Sequence, residues 1–125
     1  MEVVLVEPGK EARIAEIGSD LKSLQAAVGG YIEAAYFFDD PVALICNEEG
    51  KVYGLPYNRA VRDEAGKVQD IIAGPFFVCG LGEDDFCSLP KDLQAKYLDM
   101  FTAIGGKLVI TQDKPRAPAR QEAER

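Results

Sequence analysis

Three consecutive polar side chains, Tyr57-Asn58-Arg59, are the densest concentration of binding chemistry in the chain. They offer a ring for stacking, an amide that both donates and accepts, and a guanidinium fork that suits phosphate or carboxylate. Placed beside Gly29, Gly30 and Tyr31, where backbone amides can be approached closely, they would hold a small nucleotide-like or anionic ligand. A structural reading competes: Asn58 caps a turn and Arg59 pairs with a local carboxylate such as Asp63. Gly29-Gly30 follows a helical pattern instead of opening one, so it does not supply the amide-rich, positive helix start of a phosphate loop. The sequence contains no Walker or dinucleotide fingerprint.

Carboxylates come in adjacent pairs at Asp39/Asp40, Glu48/Glu49, Asp63/Glu64 and Asp84/Asp85. Such pairs could hold a hard cation or act as acid and base, but neighbours on a strand point to opposite faces and all four pairs fall at turn signals. Solvated turns are the expectation, with Glu48, Glu49, Asp84 and Asp85 as candidate contacts for a protein partner. The three cysteines, Cys46, Cys79 and Cys87, lack CxxC spacing, and the chain has no histidine to complete a zinc site or activate a thiol. Reduced core thiols follow, with no catalytic residue, metal site or cofactor assigned.

Composition narrows the function classes. A chain of 125 residues with 47% hydrophobic and 28% charged residues is that of an ordinary globular protein. Its formal net charge of −7 works against unassisted binding to nucleic-acid backbones or anionic lipid. No apolar run approaches the roughly 20 residues of a spanning helix, and the start MEVVLVEPGKE lacks a secretory pattern, so a cytoplasmic location is expected.

The elements that must position these residues read in order. Residues 3–7 and 12–17 form an opening β-hairpin through Pro8-Gly9. Ser19 caps a short helix with Asp20 in its first turn, Leu21, Leu24 and Val28 on one stripe, and Gly29 at its end. Residues 31–38 read as a central strand pairing antiparallel with 42–47. Asn47 to Lys51 forms a turn with Gly50 in the left-handed position of a G1 bulge, returning into a strand over 51–54. Residues 55–60 read as irregular and 62–67 as an exposed turn. A strand over 70–81 is interrupted at Gly74-Pro75, where a bulge or exposed edge leaves room for a homodimer. Ser88 caps a second helix striped with Leu89, Leu93, Tyr97, Met100, Phe101 and Ile104, stopped by Gly105-Gly106. A short strand over 107–111 follows, and a charged, Pro-containing tail over 112–125 lies outside the single domain at 1–111. The order ββαβββα predicts an α+β fold: a largely antiparallel sheet of about five to six strands with both helices against one face, and a β-grasp as its more specific form.

Several segments occur together in a recognisable order: VGGYIE at 28–33, an aspartate pair, NEEGK at 47–51, LPYNR at 55–59 and DIIAGPFFVCG at 70–80. This set resembles a family of small proteins and modules from Firmicutes, actinobacteria and their phages and mobile elements, known as a domain of unknown function. The similarity runs from about Val3 to Phe101. It implies no catalytic residue, and its setting favours host-defence interference or element regulation over housekeeping metabolism. Two readings stand: a protein-interaction module that docks on an unidentified protein partner, and a binder of a small anionic ligand. A cysteine- or carboxylate-based hydrolase is a third, for which the sequence offers no support.

Overall fold

A computed structural model describes residues 1–103, and the order within it is β1 (Glu2–Val6), β2 (Arg13–Glu16), α1 (Leu21–Val28), β3 (Ile32–Ala35), β4 (Val42–Asn47), β5 (Tyr57–Arg62), β6 (Val68–Ala73), β7 (Phe76–Leu81), β8 (Phe86–Cys87) and α2 (Lys91–Met100). The expected helix stop at Gly105-Gly106, the Ile104 position, the strand over 107–111 and the tail over 112–125 lie outside the described residues. The fold is α+β. Six strands form one antiparallel sheet in the order β2-β1-β7-β4-β3, with β8 continuing the β1 side of β7, and β5 and β6 form a separate two-stranded hairpin.

The middle of the sheet is apolar on both faces, the mark of a sheet covered on both sides. Val3, Leu5, Ala43, Ile45, Phe77 and Cys79 face α1, which contributes Leu24 and Val28. Val4, Val6, Val42, Leu44, Phe76 and Val78 face the opposite way, toward Tyr97 and Phe101 of the α2 segment and toward Val61 and Ile72 of the hairpin. The helices therefore lie on opposite faces, whereas the sequence reading put both on one face as a β-grasp would. The alternation within β1, β4 and β7 accounts for the difference, since each strand has a second apolar face to cover.

Local elements depart from expectation for identifiable reasons. Asp20, not Ser19, caps α1: its carboxylate accepts from the Ser23 amide at 3.3 Å and the Ser23 hydroxyl at 2.7 Å. Gly29 ends the helix at φ 81° as expected. The second helix starts at Pro90 without a side-chain cap, and the Ser88 hydroxyl instead accepts from the Glu2 amide at 2.8 Å. Residues 31–38 shorten to β3, which is an edge strand and not a central one, while Phe37 and Phe38 leave the ladder to pack on the core. Residues 48–54 form consecutive turns instead of a returning strand, and Gly54, not Gly50, takes positive φ. Gly50 is needed for space: a Cβ there would lie 2.5 Å from the Ala73 carbonyl. Gly74-Pro75 is neither bulge nor free edge. It is the joint at which the chain passes from the hairpin into β7, the strand between β1 and β4.

Candidate functional site

The sequence-derived cluster divides between two places. Tyr57, Asn58 and Arg59 begin β5, where the register slips: Tyr57 pairs with Ala73 and Arg59 with Ile72, leaving Asn58 as an extra residue. This bulge lets two consecutive side chains point inward. Asn58 and Arg59 are 0% and 2% exposed, whereas Tyr57 faces outward. The Asn58 amide donates to the carbonyls of Val6 and Gly74, both at 2.9 Å, tying the hairpin to the end of β1. Its Oδ1 accepts from Arg59 Nη1 at 2.8 Å. Arg59 donates its remaining bonds to backbone: Nε and Nη2 to the Phe101 carbonyl at 3.2 and 3.1 Å, and Nη2 to the Lys10 carbonyl at 2.6 Å. Burial pulls its pKa down, and no carboxylate among the described residues pairs with it. The positive charge instead sits at the carbonyl end of α2, where the helix dipole favours it.

Asp63, the partner considered for Arg59, is occupied with its own turn. It accepts from the amides of Ala65 and Lys67 at 2.9 Å and from Gln69 Nε2 at 3.1 Å.

Gly29, Gly30 and Tyr31 lie on the other side of the sheet. With Gln25, Asn47, Glu49 and Tyr53 they line an open cleft of about 290 Å³ between the end of α1 and the 48–54 turns. Asn47 builds its floor: Nδ2 donates to the Val28 carbonyl at 3.2 Å, and Oδ1 accepts from the Glu49 amide at 2.8 Å. The Asn47 amide packs so closely on Gly30 that a Cβ there would lie 2.8 Å from Nδ2. A helical turn closes 49–53, with the Tyr53 amide bonded to the Glu49 carbonyl at 3.0 Å, which stacks the two side chains on one side. The Glu49 carboxylate beside the Tyr53 hydroxyl raises the phenol's pKa. Tyr31 and Tyr53 stand 69% and 71% exposed, large for rings of their size.

The electrostatics of this cleft favour positive charge. The carbonyl end of α1 carries the negative pole of the helix and has no basic residue in its last turn. Glu49 adds a carboxylate, Glu48 another beside it, and the neighbouring Lys51 is drawn off to Asp70 at 2.9 Å. The Tyr31 and Tyr53 rings that line it complete a setting that suits an ammonium or guanidinium group.

The remaining candidates do not join it. Asp84 and Asp85 lie on the exposed 82–85 loop before β8. Asp40 anchors α2, accepting from Lys96 Nζ and the Tyr97 hydroxyl at 2.7 Å each. Cys46 and Cys79 are buried, burial pushing the Cys79 thiol up to about 12, and Cys87 is exposed. Among the described residues no three histidine, cysteine or acidic side chains are grouped to hold a metal ion, and no helix is long and apolar enough to cross a membrane. Of the residues that line the cleft, the sequence named Gly29, Gly30, Tyr31 and Glu49 as candidates but not Gln25, Asn47 and Tyr53, and Glu48 stands outside the lining. The Glu49/Tyr53 spacing of four residues was the available signal.

What this architecture defines is a small antiparallel α+β domain with a buried arginine knot on one side and an open, acidic aromatic cleft on the other. The chain belongs to the DUF3846 family, a domain of unknown function, which it matches over residues 1–102. No curated protein and no solved structure matches it.

Proposed function

We propose that this chain is a non-catalytic protein-interaction module whose cleft at Tyr31, Glu49 and Tyr53 receives a basic side chain of its partner. The observation that carries the proposal is the placement of two outward rings around a carboxylate at the carbonyl end of a helix. Each component favours a cation: the rings by their quadrupoles, Glu49 by charge-assisted hydrogen bonding, and α1 by its dipole. A net charge of −7 adds long-range attraction for a basic partner surface. The same signs disfavour an anionic ligand here, and Arg59, the fork best suited to hold one, lies buried elsewhere. A mobile-element or phage setting, with a basic partner belonging to the element or its host, is part of this reading.

The test is panning of a displayed random dodecapeptide library against the full chain, at low salt, with Glu49→Gln and Tyr53→Leu variants in parallel. Recovered peptides should be rich in arginine or lysine, should bind the Tyr53→Leu variant about 2- to 30-fold more weakly, the range that cation–π energies of about 0.5–2 kcal/mol convert to, and should also bind the Glu49→Gln variant more weakly through its lost charge. Recovery of acidic or uncharged peptides, or equal binding by the variants, would refute the proposal.

A further inference from the structure

We infer that the partner segment docks as an added strand on the outer edge of β3, which no strand among the described residues covers, an inference resting on the reading of the adjoining cleft as a basic-side-chain site. The two edges of the main sheet differ. At β2, Arg13 and Glu16 bracket the strand and are themselves engaged, Arg13 with Glu7 at 3.4 Å and Glu16 with the N-terminal amine at 3.0 Å. Charges so placed are the usual guard against edge pairing. The sequence of β3, Ile32-Glu33-Ala34-Ala35, carries a single charge, the acidic Glu33, with no lysine or proline, and pairs with β4 in unbroken register from Ile32↔Asn47 to Ala35↔Leu44.

Backbone alternation says which groups are open. The Tyr31 carbonyl accepts from the Glu48 amide at 2.8 Å, so Tyr31, Glu33 and Ala35 turn toward β4, and Ile32 and Ala34 turn their N–H and C=O groups outward. No strand among the described residues covers that edge. Tyr31 and Tyr36, both largely exposed, bracket it.

The edge and the cleft are continuous, because Tyr31 lines the cleft and Ile32 begins the strand. A chain laid along β3 at the ordinary spacing of about 4.8 Å passes the cleft mouth at that end, where one of its side chains can enter between the rings. Main-chain pairing would supply affinity, and the cleft the choice of side chain. Charge complementarity selects the occupant: an extended basic segment meets Glu48 and Glu49, whereas a second copy of this chain would bring up like charges.

Amide hydrogen exchange of the full, isotope-labelled chain tests this. The probe is a capped decapeptide of alternating threonine and valine with one terminal arginine; its citrulline counterpart keeps the shape and removes the charge. The arginine peptide should slow exchange at the Ile32 and Ala34 amides about tenfold or more and shift the Tyr53 signal, with a weaker effect from the citrulline peptide. N-methylation of alternate peptide residues should abolish protection in one phase only, a control that leaves the protein unaltered. Ala34→Pro, which removes an outward donor, should abolish it as well if the variant keeps its melting transition.

Shifts at Gly30 and Tyr53 without protection at Ile32 and Ala34 would overturn the strand while sparing the cleft. Equal protection by both peptides, unaffected by Glu49→Gln, would sustain the strand and overturn the cleft. Absence of binding, or protection without peptide that disappears on dilution, would overturn the inference, the latter in favour of a second copy.

Discussion

The Asn58-Arg59 knot and the Tyr31-Asn47-Glu49-Tyr53 cleft use the same vocabulary of amide, charge and ring, and they differ in whether the polar groups already have partners. In the knot, each of the guanidinium's three nitrogens donates to a carbonyl or to the Asn58 amide, and both side chains are buried. Buried, and with four of the five guanidinium N–H groups already donating, such a group is withdrawn from a ligand, and its removal would leave carbonyls of Val6, Gly74, Lys10 and Phe101 without those donors. In the cleft, Asn47 is committed to the fold, but the Glu49 carboxylate lines an open space with two largely exposed tyrosines at the negative end of a helix. Residue type alone does not distinguish structural from binding chemistry. Saturation of hydrogen bonds does.

The contrast is most strongly tested at the knot. Arg59→Ala should destabilise the protein by about 3 kcal/mol or more, at about 1–3 kcal/mol for each buried oxygen left without its donor, as read by urea denaturation. Arg59→Lys should recover less than half of that, because a single ammonium cannot span the Phe101 and Lys10 carbonyls and the Asn58 oxygen together. Equal stability of the lysine variant would mean that charge, not the fork, holds the knot.

At the boundary between fold and cleft the effects shrink. Gly30→Ala should cost about 1 kcal/mol, comparable to one hydrogen bond, by displacing the Asn47 amide from the Val28 carbonyl. It should also weaken peptide binding, since Asn47 positions Glu49. A variant that loses stability but binds normally would detach Asn47 from the site.

An acid titration separates a third region from both. Hydrogen bonds from Lys96 and then Tyr97 hold the Asp40 carboxyl below its ordinary value of 3.8. A depressed folded-state pKa contributes stability that is present above the unfolded value and is lost as pH falls through the folded one. Thermal midpoints should therefore drop below about pH 4, and less steeply in Asp40→Asn. The smallest effect is at the cleft itself: Glu49→Gln and Tyr53→Leu should change stability by no more than about 0.5 kcal/mol, as surface substitutions do.

Much of the scaffold was legible because local chemistry and tertiary packing agree there. Pro8-Gly9 makes the first hairpin, Gly29 ends α1 with positive φ, and Val42 to Cys46 is buried at every position. The first strand of the separate hairpin was not legible. Tyr57-Asn58-Arg59 after Pro56 has the polarity of a surface loop, and only the bulge and the carbonyls gathered around it make burial affordable. The helix placement was misread because the second apolar face of β1, β4 and β7 demands cover that neither helix's own sequence announces. Part of the cleft was visible as Gly29, Gly30, Tyr31 and Glu49. Tyr53 was hidden because 51–54 was read as a strand, on which Glu49 and Tyr53 would not share the geometry of one helical turn.

The most direct measurement is a nuclear magnetic resonance titration of the labelled chain with a capped glycine-arginine-glycine tripeptide at low ionic strength, with inorganic phosphate in a parallel series. The account expects shifts at Gly29, Gly30, Tyr31, Glu49 and Tyr53 with the tripeptide, none at Asn58 or Arg59, and none at the cleft with phosphate. Phosphate shifting the cleft signals while the tripeptide leaves them in place would contradict it.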